Sequence, residues 1–187
     1  VARSISDNQI LEAALDMIVQ RGYSGATTRE IAAAAGINEV TLFRRFGSKE
    51  KLLHAAIEQE AEHFGAAEID YTGDLEADLA RIFRFYLELV KQRGRAIFVL
   101  INELPRRPEL LEILQVPMGI AQKVANILMR YQAEGRLIQE PPIHALSVLV
   151  GPLLLRGMLD VVGPETFQVT IDPEEQVQRY LQGRAVR

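Results

Sequence analysis

Between Thr27 and Leu53 the chain reads TTREIAAAAGINEVTLFRRFGSKEKLL: two short amphipathic segments separated by a glycine and followed at once by a third. No other stretch constrains the fold as tightly. Thr27 is placed to cap a first helix with its hydroxyl, and Glu30, three residues on, to reach back to the cap, which is the pattern of a capping box. Ile31 and Ala35 then share a face, and the small Ala32 beside them leaves room for a second helix to approach. Gly36 predicts the stop, because glycine enters the left-handed region without a Cβ clash. Asn38 is positioned to cap the second helix and Ile37 to fill the corner. Leu42 and Phe46 point inward, which leaves Thr41, Arg44 and Arg45 outside. Two helices meeting across such a turn form a helix-turn-helix, whose second helix is commonly laid in the major groove of DNA. A hydroxyl and two guanidinium groups on its outer side suit phosphates and guanine edges. Ser48 is placed to cap a longer following helix, whose first-turn amides and Lys49 offer a further phosphate site.

From Ser6 to about Ala56 the sequence resembles the tetracycline-repressor (TetR) family of transcriptional regulators. The resemblance rests on a leading helix ending at Arg21-Gly22-Tyr23, the Thr27-Thr28 start, the Gly36 turn, Thr41-Leu42, and the tail Phe46-x-Ser48-Lys49-Glu50-x-Leu52-Leu53. It implies that Thr28, Thr41 and Lys49 contact phosphates and that the helix from Asn38 to Arg45 reads the bases. Asn38, Glu39, Arg44 and Arg45 would then lie nearest the bases or the flanking backbone. Two positions depart from the family. Phe43 stands where a tyrosine hydroxyl usually binds phosphate, and Arg45 replaces a common aromatic or histidine, so a neutral phosphate contact is exchanged for a charged one. Glu39 is expected at the edge of the interface, since a carboxylate near DNA is repelled unless a cytosine amino group donates to it.

Bulk properties fit a regulator of this kind. A chain of 187 residues, 48% of them hydrophobic, can bury a core as one domain or two small ones. The net charge of −4 allows DNA binding only through clustered basic groups, without long-range attraction over the whole surface. There are no cysteines, hence no disulfide framework and no thiolate metal site. The sequence opens Val1-Ala2-Arg3, with no methionine, so a basic arm ahead of Arg3 stays open. The longest uncharged run, Ile138 to Leu155, is interrupted by Glu140 and Pro141-Pro142 and reads as too short for a membrane span; a cytoplasmic protein without membrane contact is expected.

The remainder reads as helices. Asp74 is placed to cap a segment to about Arg93, in which Leu75, Leu79, Ile82, Phe83, Tyr86, Leu89 and Val90 form an apolar face wide enough to need cover on both sides. Gly94 is expected to break it, with a helix resuming from Arg95 to Leu104 before Pro105 and Pro108 stop it. Further helices are expected from about Pro117 to Glu134, from Pro142 to about Leu159 with a kink at Gly151-Pro152, and from Asp172 onward, where a cap, a first-turn proline and an acid follow in order. The fold class is therefore all-α. Residues 1–53 form a three-helix DNA-binding domain, its last helix continuing to about 66, and residues 54–187 form a helical effector-binding and dimerisation domain.

Three further expectations concern partners. Ala145 to Leu159 is too apolar for a free surface, and Val177, Leu181 and Ala185 make a stripe, so these helices are expected to form a four-helix seam in a homodimer on paired half-sites. Family resemblance also implies a small-molecule effector, and polar groups embedded in apolar runs mark candidate contacts: Tyr86, Asn102, Glu103, Gln122 and Arg156, with Phe83, Met118 and Leu149 as apolar wall. A ligand there is expected to loosen the grip on DNA through the long helix starting at Lys49. Enzymatic readings find no support: there is no glycine-rich phosphate loop or nucleophile elbow, no cofactor is implied, and His54, His63 and His144 are isolated, so no metal site is expected. Glu58, Glu60 and Glu62 do not form a carboxylate cluster, since on a helix Glu60 points away from the other two, and they read as a solvated face. The sequence thus reads as a repressor that a small molecule releases from a double-stranded, pseudo-palindromic operator; the alternative is a helical interaction module that does not touch DNA.

Overall fold

The computed structural model describes residues 5–162 and 171–186, which include eight α-helices. These are α1 (Asp7–Gly25), α2 (Thr28–Ala34), α3 (Glu39–Phe46), α4 (Lys49–His63), α5 (Leu75–Glu103), α6 (Gln115–Ala133), α7 (Pro142–Val162) and α8 (Pro173–Arg184), with short 3₁₀ turns after α4 and α5. Among the described residues the only strand-like pairing is a single bridge between Leu137 and Ala185. The fold is all-helical, as the periodicities require.

Two units divide the chain. The first holds residues 1–61 together with 95–116, the second residues 62–94 and 117–187. In the first, Ile10, Ala14 and Ile18 of α1 pack on Ile31, Leu42, Leu52 and Leu53 to make the small core that fixes the helix-turn-helix. Leu100, Leu110 and Ile113 join that core, although they sit far downstream in a region the sequence reading gave to the second domain. Gly22 ends the regular part of α1 at φ 69°, a left-handed value that needs glycine. The expected caps are all present: Thr27 and Glu30 form the reciprocal box on α2, Asn38 caps α3, and the Ser48 hydroxyl accepts from the Lys51 amide.

The second unit is built around Leu79, Ile82 and Phe83 of α5, covered by Val124, Leu128 and Tyr131 of α6, by Leu149 and Leu153 of α7, and by Val177 and Leu181 of α8. Asp78 lies inside it with its side chain fully buried. It accepts from the Thr72 amide at 2.8 Å, the Thr72 hydroxyl at 2.7 Å, the Tyr131 hydroxyl at 2.5 Å and Arg81 at 3.0 Å. Burial alone would raise the carboxyl pKa, but the hydrogen bonds from Thr72, Tyr131 and Arg81 together outweigh it and hold it below its ordinary value. On Tyr131, burial and the same carboxylate push the pKa up.

Four expectations are corrected here. Gly94 does not break α5, which runs unbroken from Leu75 to Glu103; its role is packing. A Cβ on Gly94 would stand 3.6 Å from the Cα of Gly157, and a Cβ on Gly157 would stand 2.9 Å from Val90 Cγ1, so α5 and α7 cross at two glycines. Gly157→Ala is expected to cost roughly 1–3 kcal/mol, because Val90 is β-branched and cannot readily turn away within a helix. The midpoint of urea unfolding measures this, and an unchanged midpoint would show that the crossing has slack.

Second, Val177 and Leu181 are buried within their own unit and do not form an outward stripe, since α8 turns its apolar side onto α5 and α7. Third, Glu60 is buried, because it shares the inward face of α4 with Leu53 and Ala56; only Glu58 and Glu62 are exposed. Fourth, Pro142 to Asp160 is by length and composition apolar enough to cross a membrane, because the helix continues past Leu155 and its one charge pair leaves the mean hydropathy at 1.5. One side of that helix, with Ala145, Leu149 and Leu153, packs in the core described above.

Candidate nucleic-acid interface

All eight residues read as DNA contacts lie in the first unit, but they are not equivalent. Asn38 spends its side-chain oxygen on the Thr41 amide at 2.7 Å, so it positions α3. Thr41 itself is half-buried. The Thr28 hydroxyl donates to Glu39 Oε1 at 2.6 Å, which joins the first residues of α2 and α3. A phosphate at Thr28 would compete with that carboxylate for one proton.

Arg45 is anchored as well. Its Nη1 donates to the Ile5 carbonyl at 2.8 Å and to Asp7 Oδ1 at 3.2 Å, tying the last turn of α3 to the start of α1. Lys49 donates to the Tyr23 carbonyl, and its ammonium lies 3.7 Å from the centroid of the Tyr23 ring, a cation–π contact. Burial is the main reason its pKa is lowered; Arg107 adds to that, while Glu50, Glu103 and Glu30 oppose it. Around the same ring, Tyr23 donates to Glu50 at 2.8 Å, and Arg107 donates to Ser24 at 2.6 Å and to Glu103 at 3.1 Å. Glu50 is held below its ordinary pKa: burial would raise it, but its own backbone amide and the Tyr23 and Ser48 hydroxyls bind the carboxylate.

What α3 presents outward is Val40, Phe43, Arg44 and Arg45, of which Arg45 is tethered to Ile5 and Asp7. Val40 is 77% exposed and Phe43 45%, and Arg44 is exposed beside them. Val40 was not singled out from the sequence. Its signal was its register: it falls about 200° around the helix from the buried Leu42, on the side opposite the core. The Tyr23–Glu50–Arg107 network was also missed, because its members are far apart in the chain and carry no motif.

The effector candidates separate by unit. Phe83 and Leu149 are buried in the second unit, and Tyr86 is half-buried, with burial pushing its hydroxyl up to about 12. Arg156 is in the same unit, 3.5 Å from Asp160. Met118 and Gln122 are exposed there, Gln122 donating to Asn126 at 2.9 Å. Asn102 and Glu103 belong to the first unit, where Asn102 donates to the Phe98 carbonyl and Glu103 pairs with Arg107.

A helix-turn-helix capped and packed in this way, carried on an all-helical chain, defines a DNA-binding regulator. Residues 10–56 match the family model described as bacterial regulatory proteins, tetR family. An uncharacterized HTH-type transcriptional regulator of Bacillus subtilis, YvkB, is 29% identical over 131 residues, covering 70% of this chain and 69% of that protein. The HTH-type transcriptional repressor AcnR of Corynebacterium efficiens is 39% identical over 56 residues, 30% of each chain. Among solved structures, the fatty acid degradation regulator FadR from Bacillus halodurans superposes with a TM-score of 0.71 at 21% identity, covering 97% of this chain and 95% of that one. Residues 10–56 are thus a helix-turn-helix of the tetR type, and the chain as a whole is similar to helix-turn-helix transcriptional regulators. That similarity favours the DNA-binding reading over the interaction module.

Proposed function

We propose that this regulator binds a pseudo-palindromic operator as a homodimer in the cytoplasm, represses from it, and is released by a small-molecule effector. The observation that carries the DNA-reading part is the outward face of α3, where an exposed guanidinium sits on the side opposite the buried Leu42. Thr28, Thr41 and Lys49 supply backbone contacts in this reading, Asn38 and Arg45 hold the helix in place, and Glu39 lies at the edge. Support for repression comes from AcnR, a transcriptional repressor similar to this chain over 56 residues.

Pairing of subunits is supported by α7, whose Ile143, Leu154, Leu155 and Met158 are exposed along one side. In this reading the effector binds in the second unit, which is supported by the apolar surface of Phe83 and Leu149 and the polar groups of Tyr86 and Arg156. Asn102, Glu103, Met118 and Gln122 are weaker candidates, since their surroundings are a different unit or solvent. To release the operator, the effector must bind the DNA-incompetent shape better; about 10⁴-fold is needed to turn a 99:1 population over.

The test begins with selection of bound sequences from a random duplex library, which is expected to return two inverted half-sites. On that operator Arg44→Ala is expected to lose roughly 1–3 kcal/mol with relaxed specificity at one base pair. Arg45→Ala is expected to lower thermal stability as well as affinity, because it frees the start of α1. Equal affinity of wild type and Arg44→Ala would remove α3 as the reader.

A further inference from the structure

We propose that Val40 and Phe43 read the C5-methyl groups of thymine in the major groove, beside a guanine taken by Arg44, so that each half-site carries thymine next to guanine. This rests on α3 being the reading helix. It adds the base class that the helix selects.

The inference comes from what α3 has left to offer. Of its eight residues, Leu42 is buried and Phe46 and Thr41 are half-buried. Glu39 accepts the Thr28 hydroxyl, and Arg45 is bonded to Ile5 and Asp7. Val40, Phe43 and Arg44 remain, at spacings of three and four, so they form one continuous outer face about one helical turn long. Two thirds of that face is apolar.

Exposed valine and phenylalanine side chains on a helix otherwise capped and packed for DNA have one apolar target in B-DNA. In the major groove each base pair displays hydrogen-bonding atoms, and only thymine adds a methyl group. Neither Val40 nor Phe43 can donate or accept, so neither can distinguish bases by hydrogen bonds or hold a phosphate. The guanidinium of Arg44 on the same face supplies the charge complement to DNA and, with its planar fork, matches guanine O6 and N7. Phosphate positioning is left to groups elsewhere in the first unit.

Uracil tests this directly, because it differs from thymine only by the missing methyl and keeps every hydrogen-bonding edge. Operators recovered by selection are remade with deoxyuridine at each thymine in turn. Wild-type protein is expected to lose about three- to fivefold in affinity at the thymine facing Val40, the effect of exposing one methyl group. Val40→Ala is expected to bind the thymine operator several-fold more weakly, to be indifferent to uracil at that position, and to keep wild-type affinity for nonspecific duplex, since it removes no phosphate contact. Alanine is a better helix former than valine, so this exposed variant is expected to remain folded. If uracil at every thymine leaves wild-type binding unchanged, or if Val40→Ala and Phe43→Ala both keep the full uracil penalty, the methyl reading is wrong while operator binding stands. Selection that returns no enriched sequence would overturn the operator model and the methyl reading with it.

Discussion

Asp78→Ala is expected to cost roughly 3–5 kcal/mol, enough to unfold the second unit or leave it marginal. The carboxylate is the common acceptor of four donors from three places: the loop at Thr72, the first turns of α5 through Arg81, and α6 through Tyr131. Removing it leaves the Tyr131 hydroxyl and Thr72 amide without their partner, and an unsatisfied buried donor costs about 1–3 kcal/mol by itself. Tyr131→Phe, which removes one donor and leaves the others, is expected to cost less, roughly 1–2 kcal/mol. Thermal unfolding of the three proteins is the measurement. Equal stability of wild type and Asp78→Ala would contradict the role given to this carboxylate.

The same group sets a pH dependence. Because the folded-state pKa lies below the unfolded value of about 3.9, ionised Asp78 stabilises the fold at neutral pH. That contribution is present above about pH 4 to 5 and is lost as the pH falls through the depressed folded value. Asp78→Asn is therefore expected to be less stable than wild type at pH 7 and to show a smaller loss on acidification. A steeper acid loss in the variant would reverse the sign and exclude this explanation.

Local chemistry made the first unit legible. Thr27, Glu30, Gly36, Asn38 and Ser48 act within three or four residues of themselves, and all five do in the fold what their chemistry predicts. Long-range pairing could not be read in this way. The Tyr23 ring gathers Lys49 and Arg107 across gaps in sequence that no periodicity reports, so the sequence does not reveal that Lys49, read as a phosphate contact, is also half-buried on a carbonyl and an aromatic face. Arg45 similarly reads as an outward basic residue, and only folding brings Asp7 to it. Gly94 shows the opposite limit. A glycine in a helical run reads as a stop, but the close approach of Gly157 gives it a packing role that sequence spacing cannot reveal.

In the second unit the sequence marked apolar helices but could not say which side of each faced inward. Both α7 and α8 read as material for a seam between subunits. The fold separates them: α8 commits Val177, Tyr180 and Leu181 to its own core, while α7 leaves Leu154 51% and Leu155 56% exposed. Leu154→Glu is accordingly expected to yield a folded monomer, and Val177→Glu to unfold the unit. The two substitutions introduce the same charge, so their difference isolates where each side chain lies. In a dimer that pairs through α7, each leucine withdrawn from water contributes about 1.5–3 kcal/mol, and the two-fold axis counts it twice. A glutamate there would have to shed its hydration opposite an apolar surface, at a cost of several kcal/mol per charge. Together these exceed what a micromolar association can lose, since 1 μM corresponds to about 8 kcal/mol. Light scattering is expected to report a dimer for wild type and a monomer for Leu154→Glu, with circular dichroism unchanged. Operator affinity should fall with the dimer, because a single reading helix engages one half-site and loses the second contact that the paired arrangement provides. A wild-type monomer at micromolar concentration, or a Leu154→Glu protein that stays dimeric, would remove α7 from the seam.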